Sequence, residues 1–129
     1  MILTGHGVDL YQPEVITASM GSFFNLPAIR MADNDTVFDW IARQRDLHPG
    51  FQVIGTTAHK QLNITQVDFR LPTLLMIGNE TEGLCRAFKE GCDLLATIPM
   101  ADTSSASSFN VACAATVMMY EVCRQRAQE

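Results

Sequence analysis

The chain has 129 residues, 47% hydrophobic and 18% charged, with a formal net charge of −5. That length suits one domain built round one core. No run reaches the roughly 18 apolar residues of a membrane span, and the acidic balance argues against a broad phosphate-binding surface, so a nucleic-acid role must rest on a local site.

In chain order, "ILTGHGVDL" (2–10) reads as the first strand-like piece. The segment 13–25, "PEVITASMGSFFN", reads as a helix with Pro13 in its first turn. "AIRMA" (28–32) is strand-like, and 35–47 is helical, with Val37, Trp40, Ile41 and Leu47 at helix-like intervals. Three more strands follow: "FQVIGTTA" (51–58), "TLLMIGN" (73–79) and "DLLATIPM" (93–100). Between the last two lies a short helix over 83–91, with Gly91 as its C-cap. A final helix runs from about Ser108 to the C-terminus, with Val111, Ala114, Ala115, Met118 and Val122 on one face. Its other side is also apolar, which suggests burial against a second subunit. Apolar strands alternating with helices indicate an α/β domain, with a mainly parallel sheet and helices on both faces.

The remaining composition is bland. Cys85, Cys92, Cys113 and Cys123 form no CxxC pair, and His6, His48 and His59 are scattered, so no metal site is expected. Buried or half-buried thiols in a reducing compartment are expected instead. The N-terminus has neither a basic n-region nor an extended apolar h-region, so a cytoplasmic protein is the expectation.

In parallel sheets, ligands bind beyond the carboxyl ends of the strands. Three segments occupy those places: "GTTAHK", "GNETEG" and "ADTSSASSFN". In the second, Gly78 permits close backbone approach. Asn79 with Glu82 three residues on fits a capping box, while Glu80 is the candidate to face a ligand. In the third, Ser107 or Ser108 would cap the final helix and the other hydroxyls would be loop filler. Alternatively, the loop backbone reads a ligand while Ser108 and Asn110 point at it from the helix start. Thr56 and Thr57, after Gly55, make a weaker third candidate.

"LLMIGNETEGL" (74–84), then "IPM" (98–100), then "SSFNVACAATVMMYE" (107–121) resembles motifs 2 and 3 of the SpoU (TrmH-type) RNA ribose 2′-O-methyltransferases, of the SPOUT superfamily. "GVDLYQPEVITASMGSFFNLP" (7–27) is similar to the segment leading into that family's catalytic domain. The resemblance implies an α/β fold with a trefoil knot near the C-terminus, S-adenosylmethionine (SAM) bound in the knot, and a homodimer formed through it. It implies an rRNA or tRNA substrate. It places cofactor contacts on Gly78, Ile98 and Phe109, with Thr56 and Met100 as further candidates, and catalytic roles on Glu80, Ser108 and Asn110.

Two features depart from the family pattern. Motif 1, with its arginine, is not found in residues 1–12, so the domain is expected to lack its first strand and helix. Seven residues separate "IPM" from "SFN", two more than the family usually has, and the usual glycine is absent. A non-catalytic SPOUT-like dimerisation or RNA-binding module is therefore the alternative function. An unrelated doubly wound nucleotide-binding enzyme is the alternative from the α/β pattern alone.

Overall fold

The protein is described by a computed structural model covering residues 1–59, 61–79, 82–101 and 108–127. It divides into two compact units, 1–42 and 43–129.

In the first unit, β1 (Ile2–Leu3) pairs in parallel with β2 (Ile29–Arg30). The Arg30 guanidinium donates to the carbonyls of Gly5 and Val8, at 3.0 and 2.7 Å, and ties down the segment after β1. The expected strand 2–10 is thus two residues long, because Gly5 takes a positive φ of 69°. The expected helix 13–25 also breaks. Only α1 (Pro13–Ala18) is α-helical, and a 3-10 turn follows at Ser22–Phe24. Met20 and Gly21 lie between them in the left-handed region, at φ 50° and 89°, which an α-helix cannot continue through. Ser19 stabilises the break: its hydroxyl donates to the Ile16 carbonyl and accepts the Phe23 N–H. α2 (Asn34–Leu47) begins here and runs past the boundary between the units. Asp33 starts it, accepting the N–H and hydroxyl of Thr36, both at 2.7 Å. These bonds, the backbone N–H foremost, hold the Asp33 carboxyl below its ordinary range.

The second unit holds a four-stranded parallel sheet of β3 (Gln52–Thr56), β4 (Leu62–Asn63), β5 (Thr73–Met76) and β6 (Leu94–Thr97). The order across it is β4-β6-β3-β5, so β6 inserts between β3 and β4. Asp93 fixes that insertion. One carboxylate oxygen accepts the Val53 N–H at 2.7 Å, the other accepts from Arg45 at 2.8 Å, and its own N–H donates to the Val53 carbonyl. β4 and the 3-10 turn after it (Ile64–Gln66) escape the hydrophobic pattern, because the order there comes from a side-chain capping box between Asn63 and Gln66. Two further helices complete the unit, α3 (Arg86–Gly91) and α4 (Val111–Arg126). α3 starts three residues later than expected. Gly91 is its last residue, and the cap is Cys92, in extended conformation.

The core gathers Ile54, Ile64, Val67, Phe69, Ala96 and Met118. Met118 brings α4 onto the sheet, and Val111, Ala114, Ala115 and Val122 share its buried or half-buried side as expected. Three of the four cysteines depart from expectation. Cys85, Cys113 and Cys123 are exposed, and only Cys92 is half-buried. Cys85 caps α3 and the other two lie on the outer side of α4. Burial, and then the Asp93 carboxylate, push the Cys92 thiol up to about 11, so it stays a protonated donor to the Phe88 carbonyl.

α4 also carries a buried acid, Glu121. It accepts two bonds from Arg124, at 2.7 and 2.8 Å, and one from Gln125. The Arg124 bonds, then the Gln125 bond, hold its carboxyl at about 2, against an ordinary 4.5. A carboxyl depressed by folding stabilises fully above its unfolded pKa, and that contribution fades as pH falls through the folded one. Thermal melts are therefore expected to lose stability as pH drops from about 4.5 toward about 2, and Glu121→Gln to show a shallower fall over the same window. Equal slopes for the two proteins would contradict this.

Candidate functional site

Three strand ends and one helix start build the site. β3, β5 and β6 are parallel neighbours, so their carboxyl ends emerge on one edge of the sheet. The residues there, with the approach to α4, enclose a cleft of about 410 Å³. Thr56 and Thr57 come from the end of β3, Ile77 and Gly78 from β5, and Ile98 and Met100 from β6. Ser108, Phe109 and Val111 come from the helix approach, and Leu84, Ala96, Ala114 and Met118 add apolar surface.

The six expected residues Thr56, Gly78, Ile98, Met100, Ser108 and Phe109 therefore line one cleft. Asn110 is not among the lining residues. It is the N-cap of α4, its side-chain oxygen accepting the N–H of Ala112 at 2.9 Å and of Cys113 at 3.5 Å. That corrects the expected start of the last helix: Ser108 precedes the cap. Ser107, Glu80 and the rest of 102–107 lie outside the described residues.

The turn after β5 is built on close contact. Asn79 and Gly83 exchange backbone hydrogen bonds, at 3.1 and 3.2 Å, in a tight antiparallel bridge. The Asn79 side chain closes the loop by accepting the Glu82 N–H at 2.7 Å. Asn79 thus shapes this loop and does not cap α3, whose cap is Cys85 without a side-chain bond. Gly78 is a glycine because the chain returns across it: a Cβ there would overlap the backbone of Gly83 and Leu84. The partner approaching this backbone is the chain itself.

Sequence reasoning missed part of the wall. His59, Glu82 and Lys89 line the cleft too. In the sequence Glu82 reads as a capping partner, and Lys89 sits in a helix with no motif to mark it. Apolar walls with a few polar groups, at the carboxyl edge of a parallel sheet, suit a nucleoside-sized ligand.

The model of the SpoU rRNA Methylase family matches residues 1–120. The chain belongs to the SpoU rRNA methylase family. A 23S rRNA (uridine(2479)-2'-O)-methyltransferase of Streptomyces viridochromogenes is 44% identical over 98% of this chain and 43% of its own. A 23S rRNA (guanosine-2'-O-)-methyltransferase of Coxiella burnetii is 32% identical over 88% of this chain and 43% of its own. The SpoU chain thus spans less than half the length of these curated relatives. The crystal structure of the SpoU methyltransferase AviRb from Streptomyces viridochromogenes, in complex with AdoMet, superposes with a TM-score of 0.92 at 43% identity, covering 99% of this chain and 50% of that one.

Proposed function

We propose that this SpoU chain is part of a SAM-dependent methyltransferase acting on the ribose 2′-hydroxyl of RNA, with 23S rRNA as the substrate class. The observation that carries the reading is the gathering of six motif positions round one cleft at the carboxyl edge of the sheet. When bound, the cofactor would supply an activated methyl group for the ribose oxygen, with S-adenosylhomocysteine as the leaving group. The chain's own part is alignment, which supplies a large share of the rate when two bound reactants are joined. Ile98, Met100 and Phe109 give apolar walls for the cofactor, and Gly78 keeps the loop backbone at its edge. Ser108 lines the cleft and Asn110 caps the helix that starts beside it; in this reading these two motif residues, with Glu80 as the motif carboxylate, orient the reacting hydroxyl. Residues 1–129 form one SpoU domain in this reading, and the match over 1–120, which crosses both units, supports it.

The knot and the homodimer belong to the same proposal. The first rests on membership of the SpoU family. For the second, Val117, Met119 and Tyr120 leave an exposed apolar strip on α4, Tyr120 67% exposed. The cytoplasm, where ribosomes are made, is the proposed location in a bacterial setting.

Calorimetry with SAM and S-adenosylhomocysteine tests the reading. Binding is expected, and Asn110→Ala should weaken it while also removing a helix cap worth about 1 kcal/mol. Asn110→Asp keeps a capping oxygen, so it separates the two effects. No binding at millimolar cofactor overturns the proposal. Binding without methyl transfer to 23S rRNA would favour the non-catalytic module instead.

A further inference from the structure

The cleft wall holds two side chains of opposite charge, Glu82 from the loop after β5 and Lys89 from the last turn of α3. Among the described residues neither has an ion-pair partner. The contrast with the surface arginines is clear: Arg45, Arg70, Arg86 and Arg124 each pair with a carboxylate. A lysine at a helix end complements the dipole. That explains the charge, but not its place in the cleft with an unpaired acid in the same wall.

A ligand that satisfies both must carry both signs. An RNA phosphate would gain from Lys89 and be repelled by Glu82. The start of α4 offers an anion less than a bare helix end would, because Asn110 already accepts the N–H groups of Ala112 and Cys113. Among the described lining residues, Lys89 is the one permanent cation. Resting on the cofactor reading above, we propose that Lys89 and Glu82 grip the amino-acid end of the cofactor: the Lys89 ammonium donates to the α-carboxylate, and the Glu82 carboxylate accepts from the α-ammonium. The loop is suited to this, since the Glu82 N–H is held by Asn79.

The test compares two ligands on the 129-residue chain. S-adenosylhomocysteine carries the amino-acid end, whereas 5′-methylthioadenosine keeps the nucleoside and lacks it. Lys89→Met and Glu82→Gln should each lower S-adenosylhomocysteine affinity about tenfold, the effect of losing one charge-assisted bond. Both should leave 5′-methylthioadenosine within about twofold, and Lys89→Arg should recover most of the loss. The ligand-free melting temperatures should not move, since neither charge has an ion-pair partner among the described residues. Equal losses for the two ligands, or no loss for either, overturn the assignment while leaving the cofactor reading intact. A wild-type chain that binds neither ligand overturns both.

Discussion

Gly78→Ala is expected to unfold the site and take much of the domain's stability with it. A Cβ at this position would sit inside the backbone of Gly83 and Leu84. A flexible side chain tip could rotate aside; a peptide unit held by the Asn79–Gly83 bridge cannot. Overpacking of this kind costs about 3 kcal/mol, a large part of the roughly 5–15 kcal/mol that holds a domain folded. Gly83→Ala is the control. Gly83 has a φ of 69°, but a Cβ there meets nothing within 4 Å, so only the left-handed strain of about 1 kcal/mol applies. Urea melts should rank Gly78→Ala well below Gly83→Ala, and cofactor binding should vanish only in the former. Equal stabilities would show that the loop can open without loss.

The same loop shows what was legible beforehand. "IGN" after an apolar strand marked a glycine needed for close approach, and the structure has one. The partner was not legible, because a return of the chain over itself leaves no mark in local pattern. Asn79 reads in the sequence as a helix cap, yet its acceptor oxygen serves Glu82 inside the loop and the helix begins later, capped at Cys85. The strands of the second unit stood out because parallel strands buried on both faces are apolar throughout. β4 did not, since two residues carry no period, and Asn63 with Gln66 supplies the order. In the first unit, the 13–25 stretch looked helical by composition, while the left-handed pair Met20–Gly21 ended the helix. The cleft-lining motif residues were found by resemblance; Lys89, in the last turn of α3, and His59, in the segment after β3, were not, because a single charged or titratable residue in a helix or loop has no periodic signature.

The second large effect separates core from cleft. Phe69 and Met118 are both fully buried in one cluster. Phe69 lies outside any helix or strand, in a segment fastened to the end of α4. Its N–H donates to Gln125 at 2.8 Å, and its carbonyl accepts from Arg126 at 3.0 Å. Met118 sits on the other side of the argument, since it also lines the cleft. Phe69→Ala should destabilise by about 3–5 kcal/mol and Met118→Ala by about 2–5 kcal/mol. Below their melting transitions the two should part. Phe69 shares the core cluster but is not among the cleft-lining residues, so Phe69→Ala should bind S-adenosylhomocysteine like the wild type. Met118→Ala opens a cavity where α4 meets the cleft, and should weaken binding about tenfold by lost contact and loss of rigidity. Calorimetry beside urea melts reads both quantities. If Phe69→Ala lost as much affinity per folded molecule as Met118→Ala, the cleft would depend on the whole core rather than on the face of α4 that lines it.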